Sequence, residues 1–221
     1  MKRSRVLIDF DGTVTQADSV DAILERFALP EWRTVEAAWV AGEMGSRECM
    51  RRQATLIRAL PHELSAFVDG IAIDPAFKAL VQICLEEGAD HAIVSDGYDF
   101  TIQRTLERLD VVCPVFCGRL EHAQGDNWRF GAPYADSGCR VDAGTCKCAN
   151  TFEGQNILIG DGRSDFCVAG IASFVFAKGA LAQHCRESGI PHQEFHTLGD
   201  ILAPLRAMLR RMTAESLPKV A

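Results

Sequence analysis

The sequence predicts an α/β fold, a parallel sheet flanked by helices, with a small helical insert after the first strand. Three observations carry that prediction. Short apolar runs alternate with amphipathic stretches, as in chains that build parallel sheets. The alternation is interrupted only between residues 16 and 73, where only helical patterns occur. Acidic residues stand where two of the apolar runs stop, the edge at which open parallel sheets bind their ligands.

Arg5 to Phe10 reads as a buried strand, with Val6, Leu7 and Ile8 in a row. In the insert the helical stretches are Val20 to Phe27, Glu31 to Val40, Arg47 to Arg58 and His62 to Val68. Asp74-Pro75 then opens a helix, since Asp caps well and Pro fits the first turn. Phe77, Leu80, Val81 and Leu85 follow at helical spacing, and Gly88 ends the element. His91 to Val94 is a second strand, Phe100 to Leu109 a helix and Val111 to Phe116 a third strand. Asn156 to Ile159 is a fourth strand, with a helix from about Ser164, and Ser173 to Ala177 a fifth. Thr197 to Met208 closes the chain as a helix, and the last ten residues are expected to be loose. This gives a core of residues 1–15 and 74–221 and a helical cap of residues 16–73 over the carboxyl ends of the strands.

The 23 basic and 30 acidic residues give a net charge of −7. That balance excludes a polyanion binder, because nucleic-acid affinity comes chiefly from Lys and Arg neutralising phosphates. No apolar stretch is long enough to span a bilayer. The basic start at Lys2, Arg3 and Arg5 is followed by only three apolar residues before Asp9, too few for a secretory signal, so a cytoplasmic chain is expected. The nine cysteines fit reduced thiols in a cytosolic core. Cys139, Cys146 and Cys148 lack the spacing of zinc fingers and an evident fourth ligand, and metal binding there is left open.

The first strand ends in Asp9-Phe10-Asp11-Gly12-Thr13. Residues two apart on a strand point the same way, so two carboxylates converge where the strand stops. Gly12 lets the backbone turn and present its amides to an anion. A second acidic cluster, Gly160-Asp161-Gly162-Arg163-Ser164-Asp165, follows the fourth strand. Mg²⁺ favours a few carboxylates with waters and phosphate oxygens, and Asp9, Asp11 (through its backbone carbonyl), Asp161 and Asp165 offer such a set. Ser95, before Asp96-Gly97, offers a hydroxyl and amides to a phosphoryl oxygen, or caps a helix. Lys147 is a lone cation between uncharged neighbours.

These pieces, DFDGT at Asp9 to Thr13, VSDG at Val94 to Gly97, Lys147, and GDGRSD at Gly160 to Asp165, occur in the order found in the haloacid dehalogenase superfamily of phosphohydrolases, which the chain resembles from end to end of its core. The resemblance implies a Rossmann-like core, and the insert resembles the small cap of the phosphoserine-phosphatase-like subgroup. It implies a Mg²⁺-dependent phosphomonoesterase acting on a small phosphorylated metabolite. Asp9 would be the nucleophile that forms an aspartyl-phosphate, and Asp11 the acid and then the base. Ser95, Asp96, Gly97, Lys147, Gly12 and Thr13 would surround the phosphoryl group, and Asp9, Asp11, Asp161 and Asp165 the metal. A phospho-signalling receiver needs no second carboxylate at Asp11, and an inactive binding protein needs no full acidic set.

The substrate is less determined. Asp18 matches a carboxylate that meets the substrate amine in phosphoserine phosphatases. Their cap Arg aligns with Gln53, beside Arg51 and Arg52, and Gln cannot replace the charged fork of Arg. Bacterial methionine-salvage phosphatases resemble the chain at Phe27 to Trp32, Ser95 to Phe100, the cysteines before Lys147, and Phe176 to Lys178 with Cys185. The phosphoethanolamine/phosphocholine and pyridoxal-phosphate phosphatases resemble it at Ser95-Asp96 and Gly160 to Cys167. Asp96 stands where the salvage enzymes commonly have Gly. It would either favour a cationic leaving group or cap the following helix.

Overall fold

A computed structural model describes residues 4–216; Lys2 and Arg3 of the basic start, and residues 217–221 of the tail, lie outside the described residues. The sheet has seven strands in the order β4-β3-β2-β1-β5-β6-β7. These are β1 Ser4–Ile8, β2 Asp90–Tyr98, β3 Val115–Gln124, β4 Asn127–Gly131, β5 Gln155–Gly160, β6 Phe174–Ala177 and β7 His192–Glu194. All neighbours pair in parallel except β3 with β4, a hairpin at one edge. The helices are α1 Ser19–Phe27, α2 Trp32–Val40, α3 Ser46–Ala54, α4 Pro61–Asp69, α5 Phe77–Glu86, α6 Asp99–Leu109, α7 Phe166–Ala169, α8 Gly179–Ser188 and α9 Leu198–Ser216.

β1 lies central, between β2 and β5. Its side chains alternate between two buried layers. Val6 and Ile8 join Phe77, Leu80, Ile201, Leu205 and Leu209 on the α5–α9 face, while Leu7 joins Val94, Leu158 and Leu181 on the other. Strands buried on both faces explain the unbroken apolar runs in the sequence. The same burial makes the C-terminal ends of β1 and β5 adjacent, with Ile8 opposite Ile159.

Several elements depart from the sequence prediction. The third strand begins at Val115, not Val111, because Cys113-Pro114 interrupts it and Val112 is 89% exposed. It then runs on to Gln124 and turns through Gly125-Asp126 into β4, a hairpin the sequence reading omitted. The helix expected from Ser164 is a single 3₁₀ turn over Arg163–Asp165 and then only α7. Helix α8 and strand β7 complete the edge beyond β6. The last helix reaches Ser216, so part of the tail expected to be loose is helical.

The insert is entered and left side by side. Thr15 bridges Ile73, the Gln16 N–H donates to Ala72 O (3.0 Å), and the Asp74 N–H donates to Val14 O (2.9 Å). Its helices enclose an apolar cluster of Ile23, Leu24, Met50, Ile57 and Leu64 that also takes in Tyr98, Leu120 and Trp128 from outside residues 16–73. The Trp128 Nε1–H donates to Ala59 O (2.9 Å), and the Ala59 N–H to Asp126 O (3.1 Å). The hairpin and the insert therefore share one core. Trp128→Ala should lower unfolding stability by about 3–5 kcal/mol, measured by denaturant titration. A loss below about 1 kcal/mol would mean that the hairpin carries no weight in that core.

Candidate active site

Asp9 follows β1 directly and is 5% exposed; its N–H donates to Ile159 O (2.9 Å), which fixes the strand end against β5. Asp161 and Asp165 follow β5. One oxygen from each of Asp9, Asp161 and Asp165 lies within 4.8 Å of the others. Among the described residues this is the one such group of three or more His, Cys, Asp or Glu side chains, so Cys139, Cys146 and Cys148 do not converge as ligands. All nine cysteines are unpaired.

Lys147 supplies the opposing charge. Its buried Nζ donates to Asp9 Oδ1 and to Asp165 Oδ1, each at 2.6 Å. Burial disfavours the ammonium, but Asp165 and Asp9 outweigh that effect and hold its pKa above the ordinary lysine value. Burial pushes the Asp9 carboxyl up to about 7, with Lys147 pulling it down and Asp161 pushing it up. Burial also raises Asp165 to about 6. Asp161 is raised as well, by burial and then by the charge of Asp165. Asp165 Oδ2 accepts the N–H groups of Asp161 (3.2 Å) and Gly162 (3.3 Å), so this carboxylate orients the loop as well as Lys147.

Two motif residues hold Asp161 in place. Thr13 Oγ1 donates to Asp161 Oδ1 (3.2 Å). Gly12 has φ +72, and a Cβ there would collide with Asp161 Oδ2, so both its conformation and its missing side chain are needed. The donor set, hard carboxylate oxygens within 4.8 Å of one another, suits a small divalent cation. Asp9 and Asp161 could serve as direct ligands, and Asp165 is engaged by three protein donors.

The Asp11 carboxylate is not in this group. Its Oδ1 accepts the Ser19 N–H (3.0 Å) and the Ser19 hydroxyl, and its Oδ2 accepts the Ser95 hydroxyl (3.4 Å). A metal ligand from Asp11 would thus be its backbone carbonyl. Burial, and then the charge of Asp18, push the Asp11 carboxyl up to about 8 against the Ser19 hydrogen bond. A carboxyl that keeps its proton near neutral pH is suited to donate it. Ser95, Asp96 and Gly97 leave the sheet ladder: Val94 pairs with Phe116 and Tyr98 with Gly118, so three residues oppose one. The Gly97 N–H donates to Ser95 Oγ (2.9 Å), and a Cβ on Gly97 would collide with Asp11 Oδ2.

Asp96 does not cap α6, whose N-cap makes no side-chain bond. Its Oδ1 accepts the Thr145 N–H (2.8 Å). Asp18 caps α1, accepting the N–H groups of Val20 and Asp21 (2.8 and 3.0 Å). Gln53 is buried and donates to Glu36 Oε2 (2.6 Å). Arg52, expected near the substrate, is instead exposed and paired with Glu48 (2.7 Å). Ser19, Glu36 and Tyr98 were not anticipated. The Tyr98 hydroxyl is buried without a partner, and the charges that act on it are those of Asp18, Cys49, Asp11 and Asp21. Besides Ser19 on Asp11, further contacts join the insert to the loops around the carboxylates. Arg47 pairs with Asp142 (2.5 Å), and the Arg163 guanidinium lies over the Trp39 ring at 5.9 Å.

Comparison with known proteins agrees with this geometry. The model of the haloacid dehalogenase-like hydrolase family matches residues 6–170. The chain is 31% identical over 215 residues to a protein of Geobacillus kaustophilus named 2-hydroxy-3-keto-5-methylthiopentenyl-1-phosphate phosphatase, covering 94% of this chain and 97% of that protein. It is 31% identical over 217 residues to the protein of the same name from Geobacillus thermodenitrificans, covering 94% and 98%. A substrate-bound phosphoserine phosphatase complex shares the fold, with a TM-score of 0.66 at 17% identity, covering 92% of this chain and 99% of that one. No helix among the described residues is long and apolar enough to cross a membrane. With its acidic strand ends, its buried lysine and this matching profile, the chain belongs to the haloacid dehalogenase-like hydrolase family.

Proposed function

We propose that this hydrolase is a Mg²⁺-dependent phosphomonoesterase working through a covalent aspartyl-phosphate on Asp9. The observation that carries the proposal is the gathering of Asp9, Asp161 and Asp165 within 4.8 Å at the strand ends, with the Lys147 ammonium held between two of them. In the first step an Asp9 oxygen attacks phosphorus and the ester oxygen departs with a proton from Asp11. In the second step Asp11 takes a proton from water, which attacks the phosphorus and frees Asp9. Lys147, Ser95 and the amides of residues 96 and 97 hold the phosphoryl oxygens. Mg²⁺ held by Asp9, Asp161 and the Asp11 carbonyl, with Asp165 behind them, would offset the repulsion between a carboxylate and a phosphate dianion.

Residues 16–73 serve in this proposal as a cap over the site. Because the insert shares its core with the hairpin, opening is confined to its α2–α3 side, where Arg47–Asp142 and Trp39–Arg163 meet the core loops. For the substrate we infer a methionine-salvage-type ester, supported by the names of the relatives and by the engagement of three insert side chains that could otherwise meet a leaving group. Gln53 is spent on Glu36, Arg52 on Glu48 and Arg47 on Asp142. None of these three is free to pair with a leaving-group carboxylate. The carboxylates of Asp18, Asp21 and Glu36 favour ammonium-bearing esters such as phosphoethanolamine as the second reading.

Three outcomes are expected. Asp9→Asn should lower phosphate release by at least about a thousandfold while melting like the wild type, and EDTA should abolish wild-type activity; comparable turnover in the variant would remove the covalent step. The kcat/KM for phosphoserine should fall at least about tenfold below that for the methionine-salvage ester or phosphoethanolamine; phosphoserine as the best substrate would overturn the substrate reading. The third concerns stability. Asp9, Asp11 and Asp165 bind protons more tightly folded than unfolded. They stabilise the metal-free protein in acid, and that contribution is lost as pH rises through about 6 to 8. Melting in EDTA should therefore drop between pH 6 and pH 8, and Mg²⁺ should restore more at pH 8. A metal-free melt that rises over this range would contradict the charge balance described.

A further inference from the structure

Asp96 is tied to Lys147 through the loop that carries the lysine, without touching its ammonium. Residues 132–147 run from the end of β4 to Lys147 without regular secondary structure. Such a loop is a poor platform for a side chain that must sit within hydrogen-bond range of two carboxylates. Its own bonds hold it in part: the Cys146 N–H donates to Tyr134 O (3.0 Å), and the Asn150 N–H donates to Lys147 O (3.1 Å). The sheet reaches it through Asp96. The bulge at Ser95–Gly97 turns this side chain across to the loop, where Oδ1 accepts the Thr145 N–H at 2.8 Å, two residues before Lys147. Gly144, next in the loop, packs with Asp96 Oδ1 3.9 Å from the place a Cβ would occupy, and with the Phe130 ring at 3.0 Å. The same bulge carries Ser95 and Gly97 to the site. One distortion of β2 thus sets both the hydroxyl and amides on one side of the phosphoryl group and the lysine on the other.

We propose that the Asp96 side chain is a positioning residue for Lys147, holding the Thr145–Lys147 turn against β2, and that it does not recognise the leaving group. The proposal rests on the phosphatase reading. A carboxylate already accepting a backbone N–H, and aimed at the loop, acts on every substrate alike, because Lys147 meets the transferring phosphoryl group and not the alcohol. A leaving-group contact would instead act selectively on substrates of one charge.

The test compares Asp96→Ala with Asp96→Asn, which retains a carbonyl oxygen to accept the Thr145 N–H. Melting confirms folding, and each variant is assayed on p-nitrophenyl phosphate, phosphoethanolamine and acetyl phosphate. Binding of inorganic phosphate with Mg²⁺ is measured by calorimetry. Loss of the bond should lower kcat in the Ala variant by about tenfold or more, by a similar factor for all three substrates, and weaken phosphate binding in parallel. The Asn variant should recover most of both. A merely structural residue would shift melting without moving phosphate affinity. If Ala and Asn lose equally and only on phosphoethanolamine, Asp96 is a leaving-group residue and the proposal fails. It fails equally if the Ala variant keeps wild-type kcat and phosphate affinity. Should the Ala variant not fold, the Asn variant decides alone, since a charge contact is lost in it and a tether is kept. If the wild type releases no phosphate from any ester, the phosphatase reading itself is wrong, and phosphate affinity in the two variants still tests the tether.

Discussion

Carboxylates placed within a few ångströms of one another repel, and burial makes that repulsion worse. The site depends on the cation that answers it among the described residues, the Lys147 ammonium between Asp9 and Asp165. The strand ends are adjacent because β1 and β5 pair in register, which brings Asp9 and Asp161 together against their mutual repulsion. Lysine from a distant loop makes the arrangement tolerable in the folded protein. The raised carboxyl pKa values record burial first and the remaining repulsion after it, and a divalent cation is suited to offset both.

The positions of the acidic residues were legible because they follow apolar runs. A strand buried on both faces, as β1 and β5 are, writes itself as Val-Leu-Ile or Ile-Leu-Ile, and what comes next in such a sheet faces its ligand edge. The hairpin was not read because the apolar residues nearest its turn do not face the main core. Leu120 and Trp128 are buried against the insert, and between them stand charged residues that read as surface. The turn signal Gly125-Asp126 was there, with Gly125 at φ +63. Helix α8 had Leu181, Ala182 and Cys185 at helical spacing before Gly189 and was equally readable. Strand β7, three polar residues at an edge, was not.

Long-range polar partners were the least legible part. Nothing local to Asp96 reports that its acceptor oxygen meets Thr145, 49 positions on. Nothing local to Gln53 shows that Glu36 occupies its amide. The sequence placed Asp96 at the phosphate and Gln53 and Arg52 at the substrate by alignment with a motif. Arg52 meets Glu48 within α3, an i,i+4 pair legible in the sequence, whereas the directions of Asp96 toward a loop and of Gln53 toward Glu36 depend on a strand bulge and on packing between helices. Those are properties of the assembled fold. Motif spacing fixes where a backbone passes, and neighbours from elsewhere in the chain decide what each side chain does there.

The shared core of insert and hairpin links fold to chemistry. It ties the insert to the sheet through Trp128 and Tyr98 and leaves the α2–α3 side to meet the loops that carry Lys147 and Asp161. The account stands on Asp9 acting as the attacking group, with water entering only afterwards. The stereochemical course at phosphorus tests this most directly, using an ester made chiral with oxygen isotopes and a second alcohol as the final acceptor in place of water. Two successive in-line displacements, at Asp9 and then at the acceptor, predict retention of configuration. Inversion would mean a single direct displacement and would contradict the central claim.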